Sequence, residues 1–454
     1  MRFLLYDKNM RFNREELIVA TGAVALRDNN DNATEYSIST DTRTIQKGDI
    51  YLPLKGASFD GEMFIQKAIE AGASGYFTTN EKTTTNAPLV LKVENTLEAY
   101  LDLANYVRRE VNPITIGITG SSGKTTTKEL VYSVLKEKFI THKTYSNHNN
   151  EIGFCQTVLG MDVDTEALIV EMGMRGLGEI ELISTNLEPD YAIITNSGSA
   201  HVGRLGSLDN IAIAKCEIAK GLNTNGTIIA LNQDIIKKHL EYDGEKIFYT
   251  LKDVIVLEKA QSYTKFEYKN EIYELFVDGD YNIENSLSAI ELGLKLKMTP
   301  DEIRTGLASY KPIEKRWEIE EICGMKFIND SYNANPESMK ASVKTFIELY
   351  NNPVVILGNM GELGQNERFY HKEVGRFLSQ ITNKKVKYIT VGDLAKELGL
   401  ELREKGFDVN NFDSNDEVSC YILDNLNKSN TIFLKASRSM KFEQILENLK
   451  KRDI

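Results

Sequence analysis

The chain has 454 residues, of which 41% are hydrophobic and 26% are charged, and its formal net charge at pH 7 is −12. A chain of this length exceeds one ordinary hydrophobic core and predicts about three domains. The negative charge argues against a surface that binds nucleic acid or an anionic membrane. We therefore expect no nucleic-acid partner and no stable membrane association.

The cysteines and the N-terminus indicate the compartment. The four cysteines are far apart and none forms a CxxC pair, so a disulfide framework is not expected and a reducing cytosol fits better. The N-terminus carries an apolar run of only four residues, which is shorter than the core of a signal peptide. No later apolar run approaches the ~18 residues of a membrane span. We predict a cytoplasmic, soluble monomer.

The first predicted domain covers residues 1–111 and lacks strong alternation of strands and helices at its start. It contains a turn-rich block at 41–61, a helical pattern at 64–71 and a short strand at 75–78. The predicted boundary lies at Asn112-Pro113, because a residue before proline is disfavoured in a helix.

The second predicted domain covers residues 112–311 and alternates short apolar strands with amphipathic helices. Such alternation implies a largely parallel sheet that helices cover on both faces. The predicted strands are at 114–119, 167–172, 191–196 and 227–231, and the predicted helices at 124–139, 179–186, 210–219 and 283–296.

The third predicted domain covers residues 312–454 and repeats the alternation, as in a Rossmann-like fold. It has no GxGxxG fingerprint, which argues against the usual mode of dinucleotide binding. Its predicted strands are at 326–330, 354–358, 387–391 and 431–436, and its helices at 336–350, 368–380, 394–405 and from 441. The fold class is therefore α/β with three domains.

The most informative segment is GITGSSGKTTT at 117–127. A strand leads through a glycine loop to a helix N-terminus, where free backbone N–H groups and the helix dipole favour phosphate. Lys124 can reach the β- and γ-phosphates, and the Thr125 hydroxyl suits Mg²⁺. The loop is GxxGxxGKTT rather than GxxxxGK[ST]. The structural alternative is a glycine turn before a capped helix, but the strand–loop–helix context favours a P-loop, as in ATPases.

Two further polar residues stand where strands of this sheet end. Glu171 closes one predicted strand, and His201 lies just past another. Ligands of open α/β sheets bind at the carboxyl ends of the strands, so both side chains can face the phosphates. A carboxylate at the end of a buried strand is costly unless it is paired, which favours a metal. His201 alone would be interpreted as a turn histidine with a local hydrogen bond.

Lys215 lies on a predicted helix among small residues, and by itself it reads as a solvated helix lysine. An ammonium group cannot bind Mg²⁺. A metal-binding role would require reaction with CO₂, which converts the amine to an anionic carbamate with two oxygens.

Together these blocks resemble the Mur ligase family of peptidoglycan synthesis over nearly the whole chain. The residues 41–43, 49–56 and 59–61 are similar to the family's N-terminal uridine-nucleotide-binding block. The blocks at 120–126, 147–153, 171–174 and 200–201 are similar to its central blocks. The blocks DYNIEN at 280–285, RWE at 316–318 and DSYNANP at 330–336 resemble its adenine-side and linker blocks, and 357–364 and 435–440 its acceptor-side blocks.

The resemblance implies roles for individual residues. It assigns catalytic roles to Lys124, Lys215, His201 and Arg316, and magnesium binding to Thr125, Glu171, His201 and Lys215 as the carbamate. It assigns ATP binding to Gly120, Ser121, Ser122, Gly123, Lys124, Thr125, Thr126, Asn282, Asn285, Arg316, Asp330, Tyr332 and Asn333. It assigns substrate binding to Thr42, Arg43, Asp60, Asn149, Asn150, Asn335, Lys435, Ser437 and Arg438.

The implied activity is ATP-dependent amide ligation through an acyl phosphate. The block at 330–336 is most similar to the family member that joins the small molecules UDP-N-acetylmuramoyl-tripeptide and D-alanyl-D-alanine, with ATP, Mg²⁺ and a carbamoylated lysine. Two alternatives are another amide ligase, such as a folylpolyglutamate synthase, and a P-loop ATPase that acts as a switch. Four residues depart from the family pattern: His148, Cys216, Asn359 and Ala436.

Overall fold

The computed structural model describes residues 10–29, 35–56, 59–82, 85–313, 315–381 and 386–451. The N-terminal apolar run and residues 57–58 of the turn-rich block lie outside these ranges. Within the described ranges the chain is an α/β protein with five β-sheets. No helix in these ranges is both long and apolar enough to cross a membrane.

The N-terminal region forms a five-stranded sheet in the order β1-β7-β6-β3-β2, in which only β1 is antiparallel to its neighbour. The strands are β1 (Val24–Asp28), β2 (Ile38–Ser39), β3 (Ile50–Tyr51), β4 (Lys55–Gly56), β5 (Phe59–Asp60), β6 (Gly75–Thr78) and β7 (Leu89–Lys92). The helices are α1 (Arg14–Thr21), α2 (Ile65–Glu70) and α3 (Thr96–Val111). Strands β4 and β5 pair separately as a short hairpin.

The central region contains a fully parallel sheet of six strands in the order β13-β12-β11-β8-β10-β9. The strands are β8 (Ile114–Thr119), β9 (Thr141–Lys143), β10 (Ala167–Glu171), β11 (Tyr191–Ile194), β12 (Thr227–Leu231) and β13 (Glu245–Tyr249). The helices are α4 (Lys124–Leu135), α5 (Glu151–Leu159), α6 (Glu179–Leu187), α7 (Val202–Leu205), α8 (Leu208–Cys216), α9 (Asp234–His239), α10 (Asp280–Lys295) and α11 (Pro300–Ser309).

Helices cover both faces of this parallel sheet, as the apolar strands predict. Leu168 and Val170 of β10 pack in one hydrophobic core, and Ile169 between them packs in a second core on the opposite face. Every residue of β10 is therefore buried, because alternate side chains of a strand point to opposite faces.

A three-stranded antiparallel sheet follows, which the sequence patterns did not predict. Its strands are β14 (Val254–Ala260), β15 (Tyr263–Tyr268) and β16 (Glu271–Leu275). In β15 only Thr264, Phe266 and Tyr268 are buried. The charged residues between them give the segment a polar composition. The period-two alternation of buried and exposed residues is therefore the only sequence signal for this strand.

The C-terminal region forms a six-stranded sheet in the order β17-β18-β22-β19-β20-β21, in which only β17 is antiparallel to its neighbour. The strands are β17 (Glu318–Ile322), β18 (Met325–Asn329), β19 (Pro353–Gly358), β20 (Lys387–Val391), β21 (Asp408–Phe412) and β22 (Thr431–Lys435). The helices are α12 (Pro336–Leu349), α13 (Glu367–Gln380), α14 (Asp393–Glu404), α15 (Asn415–Asn425) and α16 (Glu443–Lys450).

The predicted α/β class is confirmed, and the predicted strands at 75–78, 114–119, 227–231 and 387–391 match β6, β8, β12 and β20 residue for residue. Several predicted elements run past the observed ends; for example, α4 ends at Leu135 and β11 ends at Ile194. Strand β11 stops early because Asn196 turns toward the glycine loop and bonds to Ser122. The domain boundaries near residues 111 and 311 stay predictions.

A buried carboxylate joins three parts of the chain. Asp278 accepts hydrogen bonds from the backbone N–H of Ser262 in the three-stranded sheet (2.6 Å), from Trp317 Nε1 before β17 (2.6 Å) and from the Tyr350 hydroxyl after α12 (2.8 Å). The side chain is fully buried. These bonds hold the C-terminal region against the central region.

We expect Asp278→Ala to lower the melting temperature strongly, because it leaves Trp317 Nε1 and the Tyr350 hydroxyl unpaired in the interior and removes the partner of the more exposed Ser262 N–H. Each unpaired buried donor costs about 1–3 kcal/mol, so the loss from the two buried donors should reach about 2 kcal/mol or more. The matched control is Asp280→Ala on the same segment. Asp280 is half-exposed and forms an ion pair with Lys259, which is worth only about 0–1 kcal/mol. Equal melting temperatures for the two variants, measured by scanning calorimetry, would contradict this account.

Candidate active site

Three loops leave the same edge of the central sheet, because β8, β10 and β11 are parallel neighbours. The loop after β8 is held by the loop after β11. Asn196 Oδ1 accepts from the Ser122 backbone N–H (2.9 Å), and the Thr195 hydroxyl donates to the Ser122 carbonyl oxygen (2.6 Å). Hydrogen bonds with the loop after β11 therefore fix the shape of the predicted phosphate loop.

Two glycines of this loop have no room for a side chain. A Cβ on Gly120 would lie 1.9 Å from Thr195 Oγ1, and a Cβ on Gly123 would lie 2.6 Å from Asn285 Oδ1. Both glycines also have positive φ angles, 154° and 79°, which side chains disfavour. Asn285, predicted to lie near the adenine, thus packs against the phosphate loop.

Lys124 begins helix α4, and its ammonium group donates to the Gly120 carbonyl oxygen at 2.6 Å. Burial lowers the pKa of Lys124, an effect that Glu171 opposes and Arg316 reinforces. Glu171 and Arg316 are therefore both close enough to Lys124 for their charges to interact with it.

Glu171 ends β10 and is 2% exposed. Its Oε1 accepts from Asn149 Nδ2 at 3.0 Å, which brings together two residues that were predicted for different ligands. Its Oε2 is buried and finds no hydrogen-bond partner among the described residues. A cation lies 3.8 Å from Oε2, the ammonium of Lys128.

Lys215 is buried at the end of helix α8 and is not the solvated helix lysine of the simpler interpretation. Within the described part of the chain its Nζ has no hydrogen-bond partner. Burial lowers its pKa well below the usual value, and the nearby charge of Lys124 lowers it further. A neutral amine is the form that reacts with CO₂, so the environment suits the predicted carbamate.

His201 lies just before helix α7 with a φ angle of 67°, which is rare for a residue with a side chain. Its Nδ1 is buried and lies 2.7 Å from Oε2 of Glu362, a residue of the C-terminal region, but among the described residues the atom has no partner aligned for a hydrogen bond. His201 holds the pKa of the Glu362 carboxyl below its usual range. The predicted metal-binding histidine is thus in contact with another domain.

The C-terminal region also contacts the phosphate loop directly. Arg316 donates to the Thr125 hydroxyl at 3.0 Å, and its guanidinium lies over the Tyr332 ring, 4.2 Å from the centroid. Asn335 caps helix α12 and donates weakly to the Ser121 carbonyl oxygen at 3.4 Å. Four residues that were predicted for nucleotide binding, and one predicted for substrate binding, therefore converge here.

The remaining C-terminal residues are largely paired with one another. Lys435 donates to Asp330 Oδ2 at 2.6 Å and to the Asn333 carbonyl oxygen at 3.2 Å. The Ser437 hydroxyl accepts from the Gly361 backbone N–H at 2.6 Å, so it shapes the loop after β19. Arg438 is exposed and pairs with Glu443, and Asn359 Oδ1 accepts from the Ala395 backbone N–H.

The predicted uridine-side residues form a separate group on the N-terminal sheet. Arg43 is exposed and pairs with Asp41, next to Thr42. Burial raises the pKa of Tyr51 to about 12, with further contributions from Asp41 and Asp60, so these residues lie near one another.

Asn150 caps α5 through the Gly153 N–H, and Asn282 donates to the Asp278 carbonyl oxygen. Thr126 lies in the first turn of α4.

The residues around Glu171 fit a magnesium ion that also binds nucleotide phosphates. No group of three or more His, Cys, Asp or Glu side chains in the described ranges is arranged to hold a metal by itself. Glu171 nevertheless presents a buried oxygen without a hydrogen bond, and Thr125 presents a hydroxyl. Mg²⁺ is typically held by one or two carboxylates together with substrate phosphates, and Glu171 supplies such a carboxylate.

Sequence reasoning missed two charged residues of the site. Lys128 is buried one turn after Lys124 and donates to the Thr144 carbonyl oxygen at 2.8 Å, but in sequence it is one of many helix lysines. Glu362 was placed among acceptor-side residues, although it contacts His201. The i, i+4 spacing to Lys124 was a usable signal for Lys128, whereas no local signal predicts the contact of Glu362.

Comparison with known proteins gives a consistent result along the chain. Three family models match: "Mur ligase family, catalytic domain" over residues 35–109, "Mur ligase middle domain" over 118–293, and "Mur ligase, glutamate ligase domain" over 315–438. The UDP-N-acetylmuramoyl-tripeptide–D-alanyl-D-alanine ligase of Bacillus subtilis is 35% identical over 428 residues, 91% of this chain and 93% of that protein.

Solved structures agree. A crystal structure of MurF from Acinetobacter baumannii has a TM-score of 0.87 and 26% identity, and the match covers 98% of this chain and 99% of that one. The MurF ligase of Thermotoga maritima in complex with ADP has a TM-score of 0.81 at 24% identity and covers 94% and 98%. The latter likeness shows the fold.

We expect Gly120→Ala to abolish nucleotide binding, because the new Cβ collides with Thr195 and distorts the loop that presents its N–H groups. The control is Gly178→Ala, which also has a positive φ angle, 84°, but has no atom within 4 Å of the added Cβ. Isothermal titration with ADP should show binding close to wild type for the control. Comparable binding by both variants would contradict the loop assignment.

Proposed function

This chain belongs to the Mur ligase family, and we propose that it is the ATP-dependent ligase that joins D-alanyl-D-alanine to UDP-N-acetylmuramoyl-tripeptide. The observation that carries the chemistry is the convergence of Lys124, Lys215 and Arg316 around one glycine loop. The identity of the substrates rests on the name of the Bacillus subtilis relative. We place the reaction in the cytoplasm, where ATP is available, and treat the monomer as the working unit because one chain supplies the site.

In the first step, a carboxylate oxygen of the tripeptide attacks the γ-phosphorus of ATP and the bond to the ADP oxygen breaks. Lys124 and Arg316 reduce the repulsion between the two anions. At ~4 Å this repulsion is about 4 kcal/mol at an effective dielectric constant near 20. Lys124 must leave the Gly120 carbonyl oxygen to reach the phosphates, which requires only rotation of its side chain.

In the second step, the free amine of D-alanyl-D-alanine attacks the acyl carbon of the acyl phosphate. The C–N bond forms, inorganic phosphate leaves and the amine loses a proton. The C-terminal region contacts the phosphate loop through Arg316 and Asn335, so its closure excludes water from the acyl phosphate.

Thr125, Glu171 and His201 would hold magnesium, which when bound neutralises charge on the phosphates and on the attacking carboxylate. Asn149 orients Glu171 by donating to its Oε1. Lys128, whose Nζ lies 3.8 Å from Glu171 Oε2, offsets part of the charge of the buried carboxylate. Substitution of Asn149 or Lys128 would therefore affect magnesium binding indirectly, through the orientation or the charge of Glu171.

Lys215 would contribute as its carbamate. Its neutral amine nitrogen attacks the carbon of CO₂, an N–C bond forms and one proton is released, which leaves a monoanion. Burial without a hydrogen-bond partner favours the neutral amine, and the product charge is offset by Lys124. The reaction replaces a neutral amine beside Lys124 with an anion that Lys124 attracts.

We expect phosphate release only when UDP-N-acetylmuramoyl-tripeptide, D-alanyl-D-alanine and ATP are all present, because each step needs the product of the one before. A coupled phosphate assay should lose activity when a dipeptide-bearing nucleotide or a single amino acid replaces either substrate. Phosphate release that needs a macromolecule instead would indicate a switch ATPase.

We expect Lys124→Ala to remove turnover, and near-normal activity of this variant would exclude the phosphate-loop role.

We expect ¹³C-bicarbonate to give one carbamate signal in the carbon NMR spectrum of the protein, and the signal should grow as pH rises through the lowered pKa of Lys215. Lys215→Ala should remove it. Lys128→Arg is the matched control, because Lys128 is equally buried but donates to Thr144 and is paired with Glu129. The control should keep the signal, and a wild-type spectrum without one would exclude the carbamate.

A further inference from the structure

The contact between His201 and Glu362 crosses the boundary between the central and C-terminal regions. The Glu362 carboxylate lies against Nδ1 of His201 at 2.7 Å, and its other oxygen lies 3.5 Å from Arg204 Nε. The backbone makes the same connection, because the Gly203 N–H donates to the Glu362 carbonyl oxygen at 3.0 Å. The contact thus combines charge and main-chain hydrogen bonding.

Both residues of this contact have unusual backbone conformations. His201 has a φ angle of 67° and Glu362 has one of 62°. Residues with side chains rarely occupy this region, and those that do concentrate at functional sites, where the surrounding structure holds them. Two such residues in direct contact indicate that the contact itself constrains both loops.

The loop that carries Glu362 is anchored within its own domain. The Met360 backbone N–H donates to Nε2 of the buried His371, and the Gly361 N–H donates to the Ser437 hydroxyl. His371 in turn lies 2.7 Å from the Glu367 carbonyl oxygen through Nδ1, which fixes its tautomer. The carboxylate of Glu362 is therefore presented on a rigid support.

We propose that Glu362 is a positioning residue that orients His201 for magnesium from the opposite domain. A carboxylate on Nδ1 leaves Nε2 as the ring nitrogen for a cation and makes that nitrogen a better ligand. The metal site is then complete only when the C-terminal domain is docked. This inference rests on the proposed role of His201 in metal binding.

A second carboxylate of the same domain provides a control. Glu337 accepts from the Ser199 backbone N–H (3.1 Å) and hydroxyl (3.0 Å), two residues before His201. It therefore docks the same loop of the central region from helix α12, without a contact to the imidazole. Glu362→Gln and Glu337→Gln each remove one negative charge and keep the size of the side chain.

The test is a titration with Mn²⁺ followed by electron paramagnetic resonance, in the presence of a non-hydrolysable ATP analogue. Glu362→Gln should weaken Mn²⁺ binding about tenfold or more, the range found for partners of metal ligands, and Glu337→Gln should leave it close to wild type. Small-angle scattering on the same samples reports whether the domains stay docked.

Three results would overturn the inference. If His201→Ala weakens Mn²⁺ binding and Glu362→Gln does not, Glu362 has no positioning role, while the metal assignment stands. If both glutamine variants weaken binding equally, domain docking alone is responsible. If His201→Ala binds Mn²⁺ as wild type does, the metal assignment under the proposed function fails, and the role of Glu362 fails with it.

Discussion

The site depends on the concentration of positive charge where β8 ends, in a chain whose net charge is −12. Lys124 is close enough to both Arg316 and Lys215 that each pair disfavours the charged state of a lysine. Such repulsion in a poorly solvated region is costly unless an anion is present. Binding of a polyphosphate relieves it, so affinity for the nucleotide is built into the unfavourable electrostatics of the free protein.

In the free protein the polar groups of this region bind one another. Lys124 donates a hydrogen bond to the Gly120 carbonyl oxygen, and Arg316 donates one to the Thr125 hydroxyl. Asn149 donates one to a carboxylate oxygen of Glu171. These contacts satisfy part of the buried polar groups, whereas Glu171 Oε2 and Lys215 Nζ have no hydrogen-bond partner among the described residues. Exchange of these internal partners for a ligand then requires small side-chain movements rather than refolding of the loops, which is the meaning of a preorganised site.

The sequence patterns correctly predicted features that depend on residues close together in the chain. The apolar strand at 114–119 and the glycine loop after it follow from burial on both faces of a sheet and from the need for N–H groups without side chains. The contact of Glu362 with His201 and the three bonds to Asp278 were not predictable, because they join residues far apart in sequence. Strands β14–β16 were not predicted, because their exposed face is polar and the alternation of apolar and polar residues along each strand is weak.

The meeting of Gly203 and Gly364 has a thermodynamic consequence. A Cβ on either glycine would come within 2.6 Å of the backbone of the other loop. The two loops therefore pack backbone against backbone, with no side chain between them. Ordering a long side chain at an interface costs up to about 2 kcal/mol of rotamer entropy, and glycine has none to lose. Formation of this contact between the central and C-terminal regions therefore costs no side-chain rotamer entropy at Gly203 and Gly364.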